Sequence, residues 1–301
     1  AADNINVPSG TNVLFGDNAL IETTATTLAD PGLLVLAASV APQDGGNDMI
    51  QGGSDRDIIF GGFGSDTLNA AAGDDIVFGD QGYVRASAGV LTGLVSGEYD
   101  SAGALTRSTT FGDVDTITAT AGNNVIFGGE AGDNLTAGAG DDILLGDHGV
   151  VGYGFAWGAF ASFYDVITTF DNDGGNDIIV SGDGDDLSIG GFGNDQVTGG
   201  TGADYMLGDH GRLHRDASLN WLALESKSAD SEAGNDVLVA GPSGLNYLFG
   251  GAGDDTLTGG LDNDVLFGGN GVAVFSITQP VTLDHYDPIT QTADSRLDTN
   301  A

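Results

Sequence analysis

The chain has no cysteine among its 301 residues. Disulfides and thiolate metal centres are therefore excluded, in keeping with an extracellular protein held together by something other than covalent bridges. Cations are nearly missing: Lys227 and six arginines stand against 44 Asp and Glu, for a formal net charge of −37. Such a chain repels phosphate backbones and anionic lipid, so neither nucleic acid nor an anionic membrane is an expected partner. No apolar run approaches the roughly 20 residues of a membrane span, and no signal-peptide pattern opens the chain. Neither H-E-x-x-H nor G-x-S-x-G occurs, and no enzyme activity is expected of this segment. Glutamate is scarce as well. Glu22, Glu98, Glu130, Glu225 and Glu232 are the only five, and every other acidic residue is Asp. A merely solvated acidic surface would use Glu freely. Asp is short and tolerates turns, so the bias points to carboxylates carried on turns as cation ligands.

What is present is glycine, at 52 residues, far above ordinary usage of about 7%. No G-X-Y period accompanies it, which excludes collagen. The glycines fall in a nonapeptide. Gly52-Gly53-Ser54-Asp55-Arg56-Asp57-Ile58-Ile59-Phe60 is followed by Gly61-Gly62-Phe63-Gly64-Ser65-Asp66-Thr67-Leu68-Asn69 and by Ala70-Ala71-Ala72-Gly73-Asp74-Asp75-Ile76-Val77-Phe78. Asp48, Asp57, Asp66 and Asp75 keep this period, as do Ile50, Ile59, Leu68 and Val77. A period this short predicts a solenoid in which each repeat is one turn and one strand.

The repeats group in blocks. A partial block (1–18) carries Asp3 and Asn12 at the ligand position. Block 44–82 carries Asp48, Asp57, Asp66 and Asp75; block 112–149 carries Asp115, Asn124, Asp133 and Asp142. Block 173–211 carries Asp177, Asp186, Asp195 and Asp204; block 233–271 carries Asp236, Asn246, Asp255 and Asp264. Each ends alike, on Gly16-Asp17-Asn18, Gly79-Asp80-Gln81, Gly146-Asp147-His148, Gly208-Asp209-His210 and Gly268-Gly269-Asn270. Asp17, Asp80, Asp147 and Asp209 either supply a last ligand or only shape an exit turn. His148 and His210 read as polar turn residues, because Asn18, Gln81 and Asn270 hold the same place. Both termini fall within a repeat, so the sequence reads as a window of a longer repetitive protein.

Insertions occupy 19–43, 83–111, 150–172, 212–232 and 272–301. Leu33-Leu34-Val35-Leu36 and the run Phe155–Phe160, with Trp157, are too apolar for disorder. Val272–Ile277 has strand composition. The insertions are expected to be strands or hairpins packed on the solenoid, with Trp157 and Trp221 as packing residues. His214 near Asp216 and His285 near Asp284 read as surface pairs.

Odd and even turns differ. Neighbours along a strand alternate sides, so the eighth repeat position points inward and the seventh and ninth outward. In even turns these outer positions are apolar, as in Ile58 and Phe60, Ile76 and Phe78, or Val125 and Phe127. In third turns they are mostly polar, as in Thr67 and Asn69 or Thr256 and Thr258. Two repeats per coil would give one polar-faced sheet and one apolar-faced sheet. A row of Phe, Leu, Ile and Val does not stay wet. Either the insertions fold over it, or another copy of the protein covers part of it and makes it an assembly surface.

A Gly-Gly-x-Gly-x-Asp turn can wind its carbonyls into a shared groove. Ca²⁺ accepts six to eight oxygens, carbonyls included, in flexible geometry; Mg²⁺ demands a tighter octahedron and transition metals want imidazole or thiolate. The repeat resembles the RTX (repeats-in-toxin) nonapeptide, Gly-Gly-x-Gly-x-Asp-x-apolar-x, over the five blocks. The resemblance implies a right-handed parallel β-roll with Ca²⁺ between stacked turns. It also implies ligands at Asp48, Asp57, Asp66, Asp75, Asp115, Asp133, Asp142, Asp177, Asp186, Asp195, Asp204, Asp236, Asp255 and Asp264. Asn12, Asn124 and Asn246 depart from it by a neutral amide. Ala70-Ala71-Ala72, Ala119-Thr120-Ala121 and Ala137-Gly138-Ala139 depart by lacking the leading Gly pair, and Ser188 replaces an inward apolar residue. The expected fold class is all-β, a parallel β-roll with hairpin insertions. The expected function is a calcium-stiffened extracellular or cell-surface structural or adhesive repeat, part of a fibre or layer and self-associating. The alternative is the calcium-responsive export and folding segment of a secreted enzyme or toxin.

Overall fold

The computed structural model of the chain describes residues 2–24, 32–40, 44–88, 90–99, 105–106, 112–153, 163–169, 174–215, 221–226, 234–275, 285–287 and 292–294. The run Phe155–Phe160 and Asp216, Ser276, Ile277 and Asp284 lie outside the described residues. Among the described residues every regular element is a strand, and the architecture is three stacked sheets of nine strands each, with two separate two-stranded hairpins.

Two of the sheets are parallel and form the roll. Each nonapeptide contributes a strand of about three residues, because its apolar residue must enter the core while the next Gly-rich turn reverses the chain. Odd turns build one sheet, through strands such as Met49–Gln51, Thr67–Ala72, Thr116–Ala121 and Asn134–Thr136. Even turns build the other, through Asp57–Phe60, Ile76–Phe78, Val125–Phe127 and Ile143–Leu145. Stacking is in register: Ile50, Leu68, Ile117, Leu135, Ile179 and Val197 stand side by side, as do Ile59, Val77, Ile126 and Leu144. These inward side chains form one continuous buried core. Ser188 sits in the same column between Leu144 and Met206, also buried.

The third sheet is antiparallel and comes from the insertions. Ala19–Thr23 pairs with Leu34–Ser39, Gly82–Ser87 with Val90–Ser96, Gly149–Tyr153 with Phe163–Thr168, and Gly211–Arg215 with Trp221–Ser226. Successive hairpins then pair with each other, so the insertions form one sheet and not four flaps. The alternation of sides is visible in Gly82–Ser87, where Val84 and Ala86 are buried and Arg85 and Ser87 exposed. Ser39 ties two hairpins, since its Oγ accepts from Gly82 N–H at 2.8 Å and donates to the Gly82 carbonyl at 3.2 Å.

This sheet lies on the outer face of the even sheet. Ala37, Val84, Leu94, Val151, Val166, Leu213 and Leu224 pack against Ile58, Phe78, Val125, Phe127 and Leu145 in a second buried core. Of the two ways to cover the apolar row, the chain's own hairpins do it. Phe15, Phe60, Phe78 and Phe127 stack face to face at 4.6, 4.8 and 4.8 Å, the spacing that paired strands impose on their side chains. The outer face of the odd sheet is the exposed one, carrying Thr67, Thr116 and Thr256 beside Met49, Ile178 and Val237. Among the described residues no helix is long and apolar enough to cross a membrane.

Candidate metal centre

The roll has two flanks, each formed where strands of one sheet turn into strands of the other. The first flank joins the ends of even strands to the starts of odd ones. Asp48, Asp66, Asp115, Asp133, Asp177, Asp195, Asp236 and Asp255 line it. The second joins odd to even, and Asp57, Asp75, Asp142, Asp186, Asp204 and Asp264 line it with Asn12, Asn124 and Asn246. All fourteen sequence-predicted aspartates thus fall on the two flanks, at the entry to a strand. All are buried except the half-buried Asp255 and Asp264.

On each flank the carboxylates form a ladder. The backbone N–H of one ladder residue donates to Oδ1 of the next: Asp48 to Asp66 at 2.7 Å, Asp66 to Asp115 at 2.7 Å, Asp115 to Asp133 at 2.8 Å, Asp177 to Asp195 at 2.8 Å. The second flank repeats this from Asp57 to Asp75 at 2.7 Å and from Asp142 to Asp186 at 2.8 Å. Oδ1 is thereby committed to the backbone. Oδ2 is not: in Asp48, Asp66, Asp115, Asp133, Asp177, Asp195, Asp236 and Asp255 it is buried with no hydrogen-bond partner, and so it is in Asp75, Asp142, Asp186 and Asp204 on the second flank. Native proteins rarely leave buried polar atoms in this state, and a whole row of them signals a missing partner.

The glycines that open the turns explain where that partner fits. A Cβ on Gly61 would collide with Asp66 Oδ2 and with the Gly79 carbonyl oxygen. On Gly79 it would meet Asp115 Oδ2 and the Gly128 carbonyl. The same pairing of carboxylate and carbonyl recurs at Gly16, Gly128, Gly146, Gly190 and Gly208. Each turn thus brings a carboxylate oxygen and a carbonyl oxygen of the adjacent coil together against a glycine, too close for any side chain there. Hard cations take that donor set. Among the described residues no three His, Cys, Asp or Glu gather tightly enough to hold a metal by themselves, so a cation at the turns would draw on carbonyl oxygens as well. That all-oxygen donor set fits Ca²⁺.

Electrostatics agree. Burial, then the charges of adjacent ladder aspartates, holds Asp115, Asp133 and Asp195 well above the usual carboxylate range, and burial does so for Asp177. Burial likewise pushes Asp66, Asp142 and Asp236 up to about 8, Asp75 and Asp204 to about 7 and Asp186 to about 6. Asp48 is raised by burial too. Arg56 pairs with Asp74 at 3.4 Å. The chain supplies almost no cations of its own for these carboxylates.

Asp17, Asp80, Asp147 and Asp209 all lie on the first flank and shape the next block's turn. Asp17 Oδ2 accepts from Phe63 N–H at 2.6 Å, Asp80 Oδ2 from Glu130 N–H at 2.6 Å and Asp209 Oδ2 from Ala252 N–H at 2.5 Å; Asp147 does the same for Phe192. They also stand in the field of the ladder. Burial, followed by Asp115 and Asp133, raises Asp80, and burial followed by Asp177 and Asp195 raises Asp147. His148 is buried, with Nδ1 at 2.8 Å from Ser96 Oγ, at a junction between roll and hairpins.

Two features escaped the sequence reading. The residue before the ladder position forms its own outer ladder. Asn176 Oδ1 accepts from Asn194 N–H at 2.7 Å, Asn194 Oδ1 from Asn235 N–H at 2.8 Å, and Asn235 Oδ1 from Asp254 N–H at 2.8 Å. Its signal is the Asx doublet, as in Asn176-Asp177 and Asn194-Asp195. Glu130 is also buried on the first flank, and its Oε2 accepts from Gly112 N–H at 2.8 Å. A Glu in a chain with five of them was the cue.

The family model of the RTX calcium-binding nonapeptide repeat (4 copies) matches residues 44–77, 109–149, 173–188, 180–212 and 243–272. No curated protein matches the chain.

Proposed function

Because the repeat blocks of this chain belong to the RTX calcium-binding nonapeptide repeat family, we propose that its buried aspartates hold Ca²⁺ and that the bound ions stiffen a secreted or cell-surface scaffold. One observation carries the reading: the row of buried Oδ2 atoms facing backbone carbonyls along the first flank. Asp48, Asp66, Asp115, Asp133, Asp177, Asp195, Asp236 and Asp255 would hold ions there. Asp57, Asp75, Asp142, Asp186, Asp204 and Asp264 are the candidates on the second flank. Asp17, Asp80, Asp147 and Asp209 order the turns around the first-flank ions. Bound calcium would supply the positive charge that the chain lacks and cross-link adjacent coils.

Folding follows from the same balance. Backbone ordering costs on the order of 1–2 kcal/mol per residue, and dozens of carboxylates repel one another across a thin core. Binding that occurs only in the folded state shifts the equilibrium toward it. Three regular sheets with no catalytic signature in the sequence favour a structural role over an enzymatic one. The continuous hairpin sheet favours a purpose-built rod over a plain export tail. Extracellular calcium would fold the chain where cytosolic calcium would not. Circular dichroism of the purified protein in calcium and in chelator tests the reading. Strand signal should appear with millimolar calcium and collapse on chelation, and a spectrum indifferent to chelation would defeat it.

A further inference from the structure

The two flanks do not offer a cation equal surroundings. On the first, every ladder position is Asp and every turn opens with Gly. On the second, Ala70, Ala119, Ala137, Ser181 and Ala240 place a Cβ where the first flank has none, and Asn12, Asn124 and Asn246 replace the ladder carboxylate by a carboxamide.

The three asparagines share one geometry. Asn124 Nδ2 donates to the Gly122 carbonyl at 2.8 Å and to Asp142 Oδ1 at 2.9 Å. Asn246 Nδ2 donates to Asp264 Oδ1 at 2.9 Å and to the Gly244 carbonyl at 3.5 Å. Asn12 Nδ2 donates to Asp57 Oδ1 at 2.8 Å and to the Gly10 carbonyl. Each amide nitrogen therefore bridges a carbonyl of its own turn and a carboxylate of the next coil. Those are the two oxygen types a calcium ion would join. Meanwhile Asn124 and Asn246 Oδ1 still accept from the preceding coil, from Asp75 N–H at 3.1 Å and Asp204 N–H at 2.8 Å, so the ladder itself is unbroken. Around Asn12 and Asn246 the satisfaction is complete. The second oxygen of Asp57 is taken by Gly53 N–H at 2.9 Å, and that of Asp264 by Gly260 N–H at 2.7 Å. An Asp at any of the three places would set a second carboxylate oxygen against both acceptors, and a cation would then be required.

We propose that the carboxamides of Asn12, Asn124 and Asn246 stand permanently in place of a calcium ion, so that the second flank is loaded discontinuously while the first is loaded at every coil. This rests on the calcium reading above. Coils at these positions close their second flank by amide hydrogen bonds whatever the calcium concentration.

Calcium content per folded chain, measured by atomic emission after gel filtration in calcium, tests it with wild type, Asn124→Asp, Asn246→Asp and Asn124→Ala. Each Asn→Asp variant should carry one more ion than wild type and need a higher calcium concentration to fold. Asn124→Ala should keep the wild-type ion count and melt lower in saturating calcium. Folded Asp variants with unchanged calcium content, or an alanine variant that loses an ion, would overturn the proposal. If Asn124→Asp fails to fold in calcium, Asn246→Asp in the next-to-last coil of the roll decides. Failure of the calcium reading looks different: wild type itself would then carry no ion.

Discussion

The backbone N–H of Asp115 donates to Oδ1 of Asp133 at 2.8 Å, while Oδ2 of Asp133 is buried without a partner. One carboxylate thus has two jobs, closing the backbone ladder and presenting an oxygen for a cation. Substitutions separate them. Asp133→Asn keeps an acceptor for Asp115 and removes the charge, so it should lower calcium affinity while leaving the calcium-saturated fold intact. Asp133→Ala removes both and strands a buried N–H, which costs about 1–3 kcal/mol beyond the lost ion. Calcium titrations followed by melting in saturating calcium check this. Equal melting temperatures for the two variants would contradict the dual role.

Glycine at the turn entry should be irreplaceable on the first flank. In Gly79→Ala the new Cβ would fall on Asp115 Oδ2 and the Gly128 carbonyl, pushing apart the two oxygens proposed to bind the ion. Gly93, in the hairpin strand Val90–Ser96, has nothing within 4 Å of the equivalent position. Gly79→Ala should therefore destabilise the protein and weaken calcium binding, while Gly93→Ala should leave both unchanged within about 0.5 kcal/mol. Chemical denaturation in calcium distinguishes them.

Much of this was legible in the sequence because the period is short and strict. Nine-residue spacing placed Asp66 on a turn and Leu68 inward, and the Phe60–Phe78 alternation forecast an apolar outer face. What covers that face was not legible, since hairpin pairing between insertions depends on long-range register that leaves no local period. That Asn12, Asn124 and Asn246 all fall in even turns was legible as well. What their amides bond, such as Asp142 Oδ1 for Asn124, was not, because it depends on how successive coils stack.

The aromatic column makes the second core testable apart from the metal. Phe78 is fully buried between Phe60 and Phe127, under the hairpin sheet. Phe78→Ala should cost about 3–5 kcal/mol through lost burial and a residual cavity. Calcium content in the folded fraction should not change, because the ring touches neither flank. Loss of ions in step with stability would show that the hairpin sheet, and not only the turns, sets the metal sites.

Ser188 offers the opposite change. Its hydroxyl is buried among apolar neighbours with no hydrogen-bond partner. Ser188→Ala removes that unpaired group with little change in volume and should stabilise the calcium-loaded protein by about 1 kcal/mol. A lower melting temperature would reveal an interaction that the hydroxyl makes.

Acidity and calcium should act as alternative ways of quenching the same charges. Burial raises the carboxyls of Asp66, Asp142 and Asp236 to about 8, of Asp75 and Asp204 to about 7 and of Asp186 to about 6, against about 3.9 in an unfolded chain. Between these limits the metal-free folded state binds more protons than the unfolded state, so its stability falls as pH rises. The protonated contribution is complete below about pH 4 and is lost through about pH 6 to 8. Calcium requires the deprotonated form, so its binding should release protons near pH 7 and weaken as pH falls from 8 to 6. Circular dichroism of calcium-depleted protein should show more strand at pH 4.5 than at pH 8, with calcium restoring the signal at pH 8. Calorimetry in buffers of different ionisation enthalpy should register the released protons. A metal-free protein that gains order with rising pH would refute the assignment of these buried carboxyls as the groups that calcium neutralises.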